Sequence, residues 1–395
     1  MRYFLVFFAL LLSTYAYADE PLRIVNIRVG QGDATLIQGP TLDQERRINV
    51  LVDAGDIGNR DGGNILRAVL NKYGVDKLDF MVMTHSDADH IGGVITGRFH
   101  GTSLLLGFDN AVGCPGDDDG DGTPDWLPGE KDFSPDPEEI GECDDLKVEN
   151  WVDYGSDLFE AHGSQAAKKY NAMADSMGNR ITLNSQASVD TFEIDLGNEA
   201  VMTTYAANGF VRGGDGNPIE KVNTPNERSL SFLVTFGTFD FLISGDLIGK
   251  KTGDEEDAKV EEAVSQAITD DGHIVDVLHV NHHGADNGSA HKFVQELKPN
   301  IAVISAGNNN THEHPRNSVL KRLEAADVYR TILTSFGTSE DRISSAVRDR
   351  LAVYQGDVVI ESDGEVYEVS TKRTYHADSN CVHDPSTCSR GAKLD

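Results

Sequence analysis

The sequence predicts an α/β protein built on mixed sheets. Three observations carry that class. Apolar runs of strand length alternate with stretches of helical spacing along most of the chain. Hairpin-like pairs of strands occur early and late, which argues against a simple doubly wound sheet. Several apolar runs end abruptly in His and Asp, which places polar groups at strand ends.

Taken in order, "LRIVNIRVGQGDATLIQG" reads as two strands around a Gly-Gln-Gly-Asp turn. "RINVLVDAGD" is a β-rich run stopping at Asp53-Ala54-Gly55. The apolar spacing from Asn64 to Tyr73 suits a helix ended by Gly74, and "KLDFMVMTH" is a buried strand leading into a turn or helix. Residues 109 to 160 change texture to Asp, Gly and Pro and read as a surface insertion; residues 156 to 178 read as helical. Leu230 to Phe236 and Phe239 to Ile243 form a hairpin across a Gly-Thr turn. A strand ends in "VNHHG", then "SAHKFVQELKPN" is a short helix, "IAVISAG" a strand and "NSVLKRLEAA" a helix. "TILTSF", "DVVIES" and "VYEVS" are late strands, and a polar tail begins near Lys372. No repeat of fixed period is present.

The chain has 395 residues and 39% hydrophobic content, enough for a sizeable core. Its opening, "MRYFLVFFALLLSTYAYADE", has the form of a signal peptide: Arg2, then an apolar run from Phe4 to Leu12, then Ala16-Tyr17-Ala18. The run is short for a membrane span, although an uncleaved anchor is the alternative. Residues 1–18 would be removed near Ala18 and the mature protein would be secreted or periplasmic. No later stretch resembles a transmembrane channel segment. The four cysteines, Cys114, Cys143, Cys381 and Cys388, suit an oxidising compartment and favour 114–143 and 381–388 bridges among three pairings. None has C-x-x-C spacing. The formal charge is −31, and residues 109 to 160 hold 18 acidic side chains against Lys131 and Lys147, a net −16. A surface so acidic disfavours a stable nucleic-acid complex, because affinity for phosphates comes mainly from Lys and Arg. It does not exclude nucleic acid as a substrate.

The densest chemistry lies in "MVMTHSDADHIGGV". His85 stands at a strand end, Asp87 two residues on, and Asp89 and His90 at the following turn. Four donors in six residues can hold two cations a few Å apart, a pairing that polarises a phosphoryl or carbonyl oxygen and generates hydroxide near neutral pH. Gly92 and Gly93 allow close backbone approach. An exposed acidic turn with incidental histidines is the plainer reading. Against it, further candidates recur behind apolar strands: Asp246 in "FLISGDL", His282 and His283 in "DVLHVNHHGAD", His312 and His314 in "NNNTHEHP".

These pieces together resemble the metallo-β-lactamase-fold superfamily, specifically its ComEC-like hydrolase branch. "VGQGDATLI", "VLVDAG", "THSDADHIGG", "NERSLSFLV", "LISGDL", "VNHHG", His314-Pro315 and "GDVVIESDG" match that branch's motifs in order, from about Pro21 to Ser370. The resemblance implies a four-layer αβ/βα sandwich, expected over residues 19–371; composition sets the acidic insertion at 109–160 and a polar C-terminal tail at 372–395 with a small disulfide loop apart from it. It also implies a dinuclear centre along one edge. His85 and Asp87 would bind one metal, Asp89 and His90 the other, with Asp246 bridging and His283 a further ligand. His282, His314 and Asp89 would serve catalysis, His282 against substrate or behind the ligands and His314 against developing charge. The superfamily's usual extra histidine has only His100 and His162 as candidates, neither in a recognisable motif, so water or an unassigned side chain would complete one site.

Asp87 stands where the superfamily usually has histidine. That exchange hardens the site toward Mn²⁺ or Fe²⁺, with Zn²⁺ remaining plausible. Asp117, Asp119, Asp121 and Asp125 have the odd spacing of a calcium loop and resemble thrombospondin type 3 repeats, although Pro128 stands where an EF-hand has glutamate; a solvated acidic loop is the plain alternative. Trp126 and Trp151 would pack that region down, and His279 reads as a core or sheet-face residue. The expected function is an exported metal-dependent hydrolase of phosphodiesters, either small molecules or nucleic acid. The alternatives are a lactonase or β-lactamase-like amide hydrolase, and a non-catalytic calcium-dependent binding protein on a degenerate fold.

Overall fold

The computed structural model describes residues 20–41, 46–56, 69–70, 72–75, 77–94, 147–160, 164–176, 179–250, 258–307, 311–335, 350–353, 356–370 and 374–378. The leader, all four cysteines, the proposed calcium aspartates, Trp126, His100 and His162 lie outside these residues, as does most of the helix expected over 64–73.

The chain opens with β1 (Leu22–Asn26), β2 (Thr35–Gln38), β3 (Asn49–Val52) and β4 (Lys77–Val82), then the short helix α1 (Ala88–Ile91). It continues through β5 (Lys147–Asp153), α2 (Ser156–Glu160), α3 (Gln165–Ser176), β6 (Arg180–Thr182) and α4 (Gln186–Thr191). Strands β7 (Glu193–Gly197), β8 (Ala200–Ala207), β9 (Phe210–Val211), β10 (Ser231–Phe236) and β11 (Phe239–Ile243) follow. Helix α5 (Val260–Asp270), β12 (Val277–His279), α6 (His291–Leu297), β13 (Ile301–Ile304), α7 (Asn317–Ala325) and β14 (Arg330–Leu333) then alternate. The chain closes with β15 (Leu351–Val353), β16 (Val358–Ser362), β17 (Val366–Ser370) and β18 (Thr374–Asp378).

Among the described residues, two nine-stranded mixed sheets result. The first runs β18-β17-β16-β1-β2-β3-β4-β5-β6; the second runs β15-β14-β13-β12-β11-β10-β8-β7, with β9 against β8. Strands β3 to β6 are parallel, as are β11 to β15. Period-2 alternation sorts the side chains. Phe232, Val234, Phe239 and Phe241 join the core shared with β1 to β4, whereas Leu233 and Leu242 turn to the other face, where Val264, Phe293 and Leu323 of α5, α6 and α7 cover them. Burying each such aromatic is worth about 1.5–3 kcal/mol relative to exposure. On the first sheet, Tyr170 of α3 meets Trp151 of β5 with ring centroids 6.0 Å apart. This is the helix–sheet–sheet–helix sandwich that the motif order implied.

Within the acidic stretch 109–160, residues 147 to 153 form β5, paired in parallel with β4 and β6, with Trp151 fully buried. The acidic composition hides the alternation of Val148 and Val152 with Glu149 and Asp153. The tail expected from residue 372 begins with β18, which pairs antiparallel with β17. Strands β7 to β9 and β15 had no counterpart in the sequence reading. The late strands also divide: β14 lies in the second sheet, while β16 and β17 return to the first beside β1.

Candidate metal centre

Parallel strands send their carboxyl ends to one edge, and the polar groups collect there. Strand β4 delivers Thr84 and His85. Asp87 occupies the N-cap of α1, whose one turn carries His90 inward, and Asp89 remains partly open. Two backbone contacts pin this turn, Ala54 N–H donating to His90 O at 2.7 Å and Asp33 N–H to Asp89 O at 3.2 Å, and Gly55 N–H donating to Asp33 O at 2.7 Å ties the two supports together. A Cβ at Gly32 would lie 2.0 Å from Asp89 O, in a backbone with φ of +104°. A Cβ at Gly93 would lie 2.2 Å from Ala54 O, so the close approach expected of that glycine is real.

From the second sheet, Ser244-Gly245-Asp246 follows β11. The turn Asn281–Gly284 follows β12 and is tied to it by His282 N–H donating to Gly245 O at 3.1 Å. His282 and His283 both take positive φ, 53° in each case, a strained backbone for non-glycine residues.

Asp246 sits at the middle, 2% exposed. Its Oδ2 faces His85 Nε2 at 3.8 Å and His282 Nε2 at 3.5 Å; its Oδ1 faces His90 Nε2 at 3.2 Å and His283 Nε2 at 3.7 Å. The carboxylate thus divides the cluster into two half-sites. Asp87 Oδ2 joins the first, 3.6 Å from His85 Nε2, and Asp89 Oδ2 joins the second, 3.4 Å from His283 Nε2. His314 borders both, its ring centroid 5.6 Å from that of His282 and 6.2 Å from that of His283. Every predicted site residue among the described residues therefore converges on one edge. Asp33, which the sequence reading passed over inside "GQGD", joins them: Asp33, His90, Asp246 and His283 each offer a ligand atom, all within 4.8 Å of one another, a grouping able to hold a metal ion.

Asp53 is the other residue missed. It accepts from Thr84 N–H at 2.8 Å and Thr84 Oγ1 at 2.7 Å and lies 2.7 Å from His90 Nδ1, which aims the opposite ring nitrogen at Asp246. His283 Nδ1 is fixed similarly, 3.2 Å from Ser305 O. His279, expected as a core or sheet-face residue, is buried in β12 and touches the site from behind, with Nε2 3.1 Å from Ser305 Oγ and 3.4 Å from Asp33 Oδ1.

The donors fit divalent cations on a direct observation. His85 Nε2, His90 Nε2, His283 Nε2, Asp246 Oδ1 and both oxygens of Asp33 are buried without a hydrogen-bond partner, a costly arrangement that a cation relieves. The charges are mutually dependent. Burial opposes ionisation of His90, but Asp246 and Asp53 outweigh it and hold the imidazole well above its ordinary range. Burial likewise opposes His283, which Asp246 and Asp33 raise to about 10. Asp246 is buried yet kept well below the carboxylate range by His90, His283 and His282; Asp33 is buried yet held down at about 2 by His279 and His283. Burial, with the charges of His283 and His282, pushes His314 down to about 3, so it is neutral at physiological pH. A cleft of about 700 Å³ opens beside His282 and His314, lined also by Asp286, His312 and Arg316.

The two-sheet fold and the order of the motifs resemble the metallo-β-lactamase fold, and the sequence is similar to a ComEC-like protein. The chain is 24% identical over 351 residues to ComE operon protein 3 of Bacillus subtilis (strain 168), covering 85% of this chain and 35% of that protein. The chain therefore spans about a third of that relative's length. Among solved structures it is similar to CmlA, a diiron beta-hydroxylase from Streptomyces venezuelae, at 12% identity and a TM-score of 0.40, covering 87% of this chain and 55% of that one. It is also similar to Tm1679, a metal-dependent hydrolase of the beta-lactamase superfamily, at 11% identity and a TM-score of 0.33, covering 85% and 98%. No protein-family model matches the chain. Among the described residues, no helix is long and apolar enough to cross a membrane.

Proposed function

We propose that this chain is an exported hydrolase of phosphodiesters working through two divalent cations, Mn²⁺ or Zn²⁺. The observation that supports it most is the central Asp246, with His85 and His282 on one oxygen and His90 and His283 on the other. In this reading His85, Asp87 and Asp246 hold one cation, and Asp89, His90, Asp246 and His283 the second. When bound, the pair supplies Lewis acidity and water of lowered pKa. Asp53, through His90, and Ser305 O, through His283, fix the ring orientations. Burial of His85, His90, Asp246 and His283 keeps bulk water from competing for charge at the centre of the set.

His314 is the group placed to act on substrate. Its neutral ring stands at the cleft, where an N–H donor would meet charge developing on a phosphoryl oxygen. His282 would present its ring to substrate or stand behind the ligands, and Asp89, partly open, would face the reacting water. The phosphodiester class rests on the paired half-sites around Asp246, which would hold two cations against one phosphoryl group. Purified protein carrying its metals should cleave bis-p-nitrophenyl phosphate or single-stranded DNA and leave nitrocefin and a lactone intact. Hydrolysis of nitrocefin or lactone alone moves the substrate to an acyl compound. A metal-loaded protein inert in all four assays removes the hydrolase reading.

A further inference from the structure

Asp33 is the one member of the four-residue cluster that the dinuclear reading leaves without a task. Its carboxylate is 2% exposed, and neither oxygen accepts a hydrogen bond. The ring nitrogens nearest to it are engaged elsewhere: His279 Nε2, 3.4 Å away, bonds Ser305 Oγ, and His283 Nδ1, 3.7 Å away, bonds Ser305 O. Both rings approach only Oδ1 and outside hydrogen-bond geometry, which leaves the buried carboxylate, Oδ2 above all, open to a cation. The backbone is committed to placing it there. Gly32 lies against Asp89 O, Asp33 N–H bonds the same oxygen, and Gln31 Nε2 reaches Asp89 Oδ2 at 3.5 Å. The Gly-Gln-Gly-Asp turn is thus docked on the metal-binding loop itself, from the other end of β2.

We infer that Asp33 is a direct metal ligand of the half-site on the Oδ1 side of Asp246, which then has three carboxylates, Asp33, Asp89 and Asp246, and two imidazoles, His90 and His283. The inference rests on the dinuclear reading. It makes the two half-sites unequal: this one has five protein donors, whereas the other has His85, Asp87 and Asp246, so the two ions would be held with different affinity.

The test is a Co²⁺ titration of the metal-free full chain, followed by visible absorption, for the wild type, Asp33→Asn and His279→Gln. The wild type should show two binding events. Asp33→Asn should weaken one of them by about tenfold or more and change its spectrum, because the coordination sphere changes. His279→Gln, which alters a buried neighbour of Asp33 but keeps its carboxylate, should change the spectra and the affinities far less than Asp33→Asn does. If Asp33→Asn titrates like the wild type, or if both variants alter the spectrum equally, Asp33 is not a ligand and the inference falls alone. If the wild type binds no Co²⁺, the dinuclear reading falls with it. Should Asp33→Asn fail to fold, anomalous diffraction from wild-type crystals soaked in Mn²⁺ decides the matter. An Asp33 oxygen about 2.0–2.3 Å from an ion supports the assignment, and one beyond about 3 Å overturns it.

Discussion

Glu261 gives the sharpest test of how the second half-site is supported. It is fully buried on α5, away from the cluster, and its carboxylate organises the turn that carries His282 and His283. Oε1 accepts from Asn281 Nδ2 at 2.7 Å and Ser289 N–H at 2.7 Å, and Oε2 from Ala290 N–H at 2.8 Å. Burial pushes this acid up from 4.5 to about 7, against the pull of those donors and the Arg322 charge. Because the folded value lies above the unfolded one, Glu261 favours folding fully below about pH 4.5, and that contribution is lost as pH rises through about 7. At about 1.36 kcal/mol per pKa unit the loss is roughly 3 kcal/mol. Glu261→Gln does not titrate, but it sets an amide N–H₂ against a backbone donor, which costs about 1–3 kcal/mol at every pH. In urea unfolding of chelator-treated protein, the wild type should therefore lead the variant at pH 4.5 and lose roughly 3 kcal/mol of that lead by pH 7–8. A difference that stays constant across the range would refute the reasoning, since Glu261 would then be ionised throughout.

Other expectations follow from the same geometry. Gly32→Ala drives a methyl into Asp89 O and should cut bound metal, read by elemental analysis, together with the melting temperature. Asp53→Ala strands the Thr84 N–H, the Thr84 hydroxyl and His90 Nδ1, which should cost about 3 kcal/mol or more in urea unfolding. It should also weaken metal binding by about 10–100-fold in a chelator competition. His314→Ala should retain both ions and lower kcat on bis-p-nitrophenyl phosphate by about 10²–10³-fold; unchanged kcat would remove His314 from the chemistry. Chelation should abolish hydrolysis and Mn²⁺ should restore it. Restoration by Zn²⁺ alone would defeat the preference for a harder ion.

Much of this arrangement was legible before the structure, because strand ends announce themselves when an apolar run stops at a histidine. His85, His90, Asp246 and His283 are each found that way, and the fold brings all four side chains together. Asp33 and Asp53 are not, since a single aspartate in a Gly-rich turn is also what an ordinary turn requires. Only the folded chain brings the turn after β1 against α1. Strand β5 was hidden for a compositional reason: its neighbours upstream are so acidic that Lys147 to Asp153 looked like more of the same, although Trp151 is wholly enclosed. The distribution of β14 and β16 between different sheets depends on long-range pairing that no local pattern encodes.

His85 and His90 belong to the first sheet's connections, whereas Asp246 and His283 belong to the second's. An ion shared among them would rivet together stretches of polypeptide that lie more than a hundred residues apart along the chain. Closing loops of that order is worth about 4–5 kcal/mol in the chain-entropy picture used for covalent cross-links. A metal-loaded chain would thus gain a reversible staple across its two halves, tightened or released by the ion supply around it.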